Sequence, residues 1–174
     1  SHAFPPPDVK ATIYGRTWAF EPPAAWSDPG LSVILVPDVR WSRCDIKVTA
    51  LTANVLAHQR AVESGAHEAL LVRDGVVLEG TLSSLFGVFE GEVRTAPLSN
   101  YILPSITRAL VLELCRTEGI PVREVPIYEH EIHRAEELFV ASTVHEVGSI
   151  HDVQGRALPA ERPVTDQLQR LFRA

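Results

Sequence analysis

The chain carries fourteen arginines but only two lysines, Lys10 and Lys47. Arginine keeps its proton in a protein, whereas a lysine ammonium can be pushed toward the neutral, nucleophilic amine by partial burial or a neighbouring cation. Lys47 lies in the run Arg43-Cys44-Asp45-Ile46-Lys47-Val48, where it reads as part of an apolar strand. Its chemistry there would be a Schiff base, with a carbonyl substrate or with pyridoxal phosphate. The competing reading is a lysine whose stem lies along a sheet while the ammonium reaches solvent. Glu79, in Leu78-Glu79-Gly80-Thr81, stands beside a glycine and small hydroxyl residues that let backbone and ligand approach closely. A carboxylate beside a pyridoxal ring nitrogen favours its protonated form; otherwise Glu79 is an ordinary solvated glutamate. Two segments suit a phosphate. Ile106-Thr107 opens a helix whose amides and dipole favour an anion, and Ser142-Thr143 ends an apolar strand with paired hydroxyls and amides. Each is also explicable as simple capping.

These residues must be positioned by a fold that alternates strands and helices. Alternation predicts a strand over Ala11 to Phe20, after the proline-rich start Phe4 to Asp8. A second proline-rich loop, Glu21 to Gly30, leads to a β-branched strand, Leu31 to Val36, and Trp41 to Lys47 reads as extended chain. Helical spacing then runs from Thr49 to Ser64 and stops at Gly65, placing Lys47 just before a helix. Ala69 to Val72 and Val76 to Leu78 form a hairpin across Asp74-Gly75, and Leu85 to Phe89 with Val93 to Thr95 a second around Gly91. A helix is predicted over Ile106 to Glu118, a strand over Pro121 to Val125 and a short helix over Glu129 to Ala135. The remainder reads as a buried strand, Glu137 to Ala141, a strand pair near Val147 to Ala157 and a helix from Val164 to Phe172. Strands outnumber helices and many are joined by hairpins, so a mixed sheet with helices packed outside is expected rather than a repetitive parallel wind.

Composition narrows the function classes. A chain of 174 residues with 45% apolar and 22% charged residues suits one domain with a sizeable core. Net charge of −6 and a pI near 5.6 give no electrostatic footprint for nucleic acid. No apolar run is long enough to cross a bilayer. Cys44 and Cys115 are too few for a disulfide framework or a zinc cage, which fits a reducing cytoplasm. His130 and His133 lack a third ligand at a recognisable spacing, so no metal is expected.

The order of motifs resembles the class IV, fold-type IV pyridoxal-phosphate aminotransferases, the group holding D-amino-acid and branched-chain aminotransferases and aminodeoxychorismate lyase. Pro37-Asp38-Val39-Arg40-Trp41 with Arg43 to Lys47, continued by Asn54-Val55-Leu56-Ala57, is similar to the segment around that family's Schiff-base lysine. Leu78-Glu79-Gly80-Thr81 with Ser83 is similar to its Glu-Gly-Ser stretch. Leu103-Pro104-Ser105-Ile106-Thr107-Arg108 resembles its phosphate-binding Ile-Thr, and Phe139-Val140-Ala141-Ser142-Thr143 with Glu146 its second phosphate contact. The opening Ser1-His2-Ala3-Phe4-Pro5 resembles the Arg-x-His-Ala-Phe-Pro of the D-amino-acid branch, in which the arginine and histidine bind the substrate carboxylate.

The resemblance implies an α/β fold with a mixed, partly barrel-like sheet and outer helices, the large domain of that fold type, over residues 10–174, with 1–9 a remnant of the connector to a small N-terminal domain that is absent here. It implies Lys47 as the catalytic lysine and a pyridoxal 5′-phosphate site made by Lys47, Glu79, Leu103, Ile106, Thr107, Ser142 and Thr143. His2, Thr81 and Ser83 fall on the substrate side. It further implies transamination between a D-amino acid and a 2-oxo acid by a homodimeric parent protein, with weak or no activity in these 174 residues alone. Lyase or branched-chain transaminase chemistry on the same fold, and a non-catalytic folded scaffold, remain as alternatives. Leu82, Ser84, Val48 and Val144-His145 depart from the family pattern close to these positions.

Overall fold

The computed structural model describes residues 3–19 and 29–174. The elements run β1 (Leu31–Pro37), α1 (Thr52–Glu63), β2 (Glu68–Arg73), β3 (Val76–Gly80), β4 (Ser84–Phe89), β5 (Glu92–Thr95), α2 (Ile106–Thr117), β6 (Val122–Glu124) and β7 (Ile127–Tyr128). They continue with a 3-10 helix (Glu129–Arg134), β8 (Glu137–Ser142), β9 (Glu146–Val153), β10 (Arg156–Ala157) and α3 (Pro163–Phe172). The ten strands of the described residues share one sheet, in the order β6-β5-β4-β8-β9-β1-β2-β3-β7 with β10 beside β9. A further pairing of β3 with β4, through Glu79 and Ser84, closes β4-β8-β9-β1-β2-β3 into a six-stranded barrel. β1 lies parallel to both its neighbours, and the other contacts within the ring are antiparallel. The α/β class with a mixed, partly barrel-like sheet is thus the observed one.

The local turns follow from residue type. In the β2–β3 hairpin Asp74 and Gly75 have φ of 51° and 75°, and in the β4–β5 hairpin Glu90 and Gly91 have 53° and 73°. Two consecutive positive φ values match the strand twist, and glycine supplies the second without a Cβ penalty. Ser105 caps α2 by accepting the Arg108 N–H at 3.3 Å. The start of α3 is capped from a distance: the buried Glu137 carboxylate on β8 accepts the N–H groups of Val164 and Thr165 at 3.0 and 2.7 Å.

Strand parity divides the core in two. Leu70, Leu85, Leu138 and Val140 join Leu31, Val33 and Val77 in one buried cluster. Their sequence neighbours point the other way: Ala69 and Leu71 pack with Ala57 and Ala61 of α1. Phe86, Val88, Phe139 and Ala141 pack with Val111, Cys115 and Leu168 under α2 and α3. Strands buried on both faces read as continuous apolar runs. The cross-strand pair Phe86 and Phe139 stacks at 5.0 Å between centroids with planes 1° apart, which adds to the burial of the two rings.

Two expected strands are corrected. Residues 11–19 are irregular and exposed; the alternation is present, but among the described residues no neighbouring strand meets the backbone N–H and C=O groups, and a strand exists only as part of a ladder. Trp41 to Lys47 is turns and loop rather than extended chain, because its backbone bonds sideways, Cys44 N–H to the Asn100 carbonyl and Ile46 N–H to that of Arg43. Phe20 and the loop from Glu21 to Asp28 lie outside the described residues. The two-residue β7 has no counterpart in the sequence pattern, being too short to show a period.

Candidate active site

A cleft of about 540 Å³ opens at one end of the barrel, between the β1–α1 loop, the first turn of α1, the β3–β4 connection and the tip of the β8–β9 hairpin. Lys47, Glu79, Thr81, Ser83, Leu103, Ser142 and Thr143 all line it. Lys47 is not in an apolar strand as the sequence suggested; it is exposed, on the irregular loop that follows β1. That loop is tied down on both sides of its turn. Asn100 accepts from the Cys44 N–H at 2.8 Å and donates through its side chain to the Ser42 carbonyl at 2.7 Å. The Cys44 thiol donates to the Trp41 carbonyl at 3.2 Å, and burial pushes its pKa above the ordinary cysteine value.

Glu79 is 5% exposed, which sets aside its reading as a solvated glutamate. Arg40 Nη1 donates to Glu79 Oε1 at 2.5 Å, and the Leu103 N–H donates to Oε2 at 3.3 Å. Arg40 also pairs with Asp38, through Nε to Oδ1 at 2.9 Å and Nη2 to Oδ2 at 3.1 Å, and donates to the Tyr101 carbonyl. Arg73 completes the cluster, bonding Asp38 Oδ2 and the Arg40 carbonyl while its guanidinium lies 4.1 Å from the Tyr101 ring centroid. Burial pushes the Glu79 carboxyl above the ordinary range, and Arg40 pulls against that shift without cancelling it. Asp38 ends on the other side. Burial raises it, but the hydrogen bonds and charge of Arg40, with Arg73, outweigh burial and hold it below the ordinary range.

The phosphate-suited residues separate into two groups. Ser142 and Thr143 lie at the tip of the β8–β9 hairpin, where Glu146 takes a φ of 54° to bring the chain back into β9. Ile106 and Thr107 do not line the cleft; Ile106 is 89% exposed and Thr107 is buried within α2. The helix start reaches the cleft through its cap, Ser105, instead. The first-turn amides of an α-helix have no intrahelical acceptor, so this end of α2 still presents donors.

Thr81 and Ser83 turn their hydroxyls toward Glu68, a residue that sequence reasoning passed over. Glu68 is 2% exposed; its Oε1 accepts the Thr81 hydroxyl at 2.5 Å and the Ala69 N–H at 2.9 Å, and its Oε2 the Ser83 hydroxyl at 3.3 Å. His58 Nδ1 of α1 lies 3.7 Å from the same carboxylate. Nothing in the residues around Glu68 distinguishes it, since its partners come from other elements. Arg40 had a signal: Asp38 and Arg40, two apart in extended chain, share one side of the backbone next to a strand. His2 lies outside the described residues.

The arrangement offers one amine, a buried carboxylate braced by a guanidinium, and hydroxyl and amide donors around a single cleft. The family model for class IV amino-transferases matches residues 2–153. The chain is 36% identical to the D-alanine aminotransferase of Staphylococcus haemolyticus over 99% of its own length and 62% of that enzyme's, so it spans about three fifths of that relative. Among solved structures, the branched-chain amino acid aminotransferase from Thermobaculum terrenum in its PLP form superposes with a TM-score of 0.80 at 29% identity, over 87% of this chain and 53% of the other. A putative 4-amino-4-deoxychorismate lyase from Legionella pneumophila shares the fold, with a TM-score of 0.81 at 21% identity, over 91% and 59% of the two chains. On the family match and the shared fold together, the chain belongs to the class IV aminotransferases.

Proposed function

We propose that the protein containing this chain transfers an amino group between a D-amino acid and a 2-oxo acid, using pyridoxal 5′-phosphate. The observation that carries this reading is the convergence of Lys47, Glu79 and Ser142-Thr143 on one cleft. The donor set fits the cofactor: an amine for its aldehyde, an acid for its ring nitrogen, and hydroxyls with helix and hairpin amides for its phosphate. Bound there, the cofactor supplies an electron sink for the charge that develops at the substrate α-carbon.

The chain's own residues have distinct tasks in this reading. Lys47 Nζ would hold the cofactor's aldehyde carbon and would also be the base that moves the α-proton of the substrate. Glu79 holds a proton at the ring nitrogen. Arg40 keeps that carboxylate in place, and the Leu103 N–H fixes its second oxygen. Ser105, Ser142 and Thr143, with the Ile106 and Thr107 amides, hold the phosphate. Thr81 and Ser83, fixed by Glu68, shape the substrate side, where His2 would orient the carboxylate. Residues 1–9 act as connector and 10–174 as the large domain of a cytoplasmic, homodimeric protein. The D-amino acid specificity is supported by the D-alanine aminotransferase relative.

The test is the absorbance spectrum of the purified protein with pyridoxal phosphate, followed by borohydride reduction and mass mapping. A cofactor band with the reduced label on Lys47 is the expected result; a label on Lys10, or none, contradicts the assignment. With the full-length protein, transamination of D-alanine in preference to its L-enantiomer is expected, and pyruvate release from aminodeoxychorismate would favour the lyase instead.

A further inference from the structure

Ser142 Oγ accepts the backbone N–H of His145 at 3.0 Å and lies 2.9 Å from His145 Nδ1. A serine hydroxyl has one hydrogen and two acceptor sites. When Nδ1 is unprotonated it takes that hydrogen, and Ser142 has only an acceptor left for the cleft. When Nδ1 carries a proton it donates to Oγ, the two N–H groups fill both acceptor sites, and the hydroxyl hydrogen turns outward. An anion in the cleft needs the second state. We propose that His145 is a positioning residue that sets the direction of the Ser142 hydroxyl, so that binding of the cofactor's phosphate is coupled to a proton on His145 Nδ1.

The inference rests on the pyridoxal phosphate reading above. The groups facing His145 are consistent with it. His58 approaches from α1 and Glu68 from β2, and on its own hairpin Glu146 is held at 2.7 Å by Arg173, the C-cap of α3. Burial holds His145 below the ordinary histidine range, with Glu68 pulling it up and His58 pushing it down. A bound phosphate places negative charge beside Ser142 and raises the imidazole again. The histidine pKa is therefore higher with phosphate bound than without it. A proton is taken up on binding, and phosphate affinity falls as pH rises between those two values.

The experiment uses 4′-deoxypyridoxine phosphate, which keeps the ring and phosphate but has no aldehyde and so leaves Lys47 out. Its dissociation constant is measured at pH 6.5 and pH 8, with calorimetry in two buffers of different ionisation enthalpy to count protons. His145→Asn keeps a donor that does not titrate, and His145→Ala removes it. The unaltered protein should lose roughly threefold to tenfold more affinity between the two pH values than His145→Asn, and only the unaltered protein should take up a proton at His145. His145→Ala should bind the probe about tenfold more weakly at pH 6.5. Unphosphorylated 4′-deoxypyridoxine should not distinguish the three proteins. Equal pH dependence and proton uptake in the unaltered and Asn proteins would overturn the coupling, as would an equal loss of the unphosphorylated probe. No binding of the phosphorylated probe to the unaltered protein would overturn the cofactor reading and this inference with it.

Discussion

At the Glu79 end of the cleft four ionisable side chains, Asp38, Arg40, Arg73 and Glu79, are interlocked beneath the surface, two acids against two bases. At the other end Ser105, Ser142 and Thr143 offer uncharged hydroxyls. The first end carries its own compensation, so the cost of burying charge is met during folding whether or not a ligand arrives. Among the described residues that line the second end there are donors but no ionised side chain, so its interactions are realised only when an anion binds. Substitutions at the first end should therefore register in stability, and those at the second in affinity.

The largest expected effect lies between the two ends. Lys47→Ala should remove the cofactor absorbance band and lower turnover of the full-length protein by about 10³-fold or more, with the denaturation midpoint unchanged, because Lys47 is exposed. Retained turnover would refute its role. Next, Arg40→Met should cost about 3 kcal/mol in chemical denaturation, since it strands Glu79 and Asp38 without their shared partner. Replacing Glu79 by Met as well should recover part of that loss; a double variant no better than the single would mean that the pair matters by packing and not by charge.

The pH dependence of stability splits the first end further. Glu79 is raised in the folded state, so the native protein binds more protons than the unfolded chain, and this group's contribution falls as pH rises from the ordinary carboxylate range through its own higher value. Asp38 is lowered, so its contribution is present above the ordinary aspartate range and is lost as pH falls through its folded value. Asp38→Asn should flatten the acid limb of a stability profile and leave the Glu79 slope in place. At the neutral end, Ser142→Ala should weaken cofactor binding about tenfold while shifting stability by less than about 1 kcal/mol. Smallest in affinity, and the one exception to the division at this end, Ser105→Ala should also cost about 1 kcal/mol of stability, because Ser105 caps α2 as well as facing the cleft; thermal unfolding reads it. If Ser142→Ala instead unfolds the protein, the division between the ends fails.

Much of this was legible from residue order. Asp74-Gly75 and the glycine after Glu90 announced hairpins through the φ values those turns demand, and Gly65 and Gly119 announced helix ends. Lys47 and Glu79 stood out by scarcity and by small neighbours. What escaped was cooperative between distant segments. Residues 11–19 alternate like a strand, yet pairing is a property of two segments. Barrel closure depends on β3 meeting β4 through Glu79 and Ser84 and on β1 sitting between β2 and β9, neither of which periodicity encodes. Glu68 acts through Thr81 and Ser83 of another segment, and Arg40, whose spacing from Asp38 is a local signal, meets Glu79 only across the fold, so these contacts are invisible one window at a time.

The placement of β1 between β2 and β9 also constrains how the chain is made. Leu31 pairs with Ile150, so the edge of β1 that faces β9 has no permanent cover until β9 has been synthesised. Long-range strand pairing of this kind slows folding, and an uncovered edge exposes the nascent chain to aggregation while it waits. The piece that ends the wait is the β8–β9 hairpin, which inserts between β4 and β1. Its tip carries Ser142, Thr143 and His145. Completing the barrel and completing the anion-facing wall are thus one event on the ribosome's schedule, and a partly folded chain has no finished cleft with which to capture a ligand early.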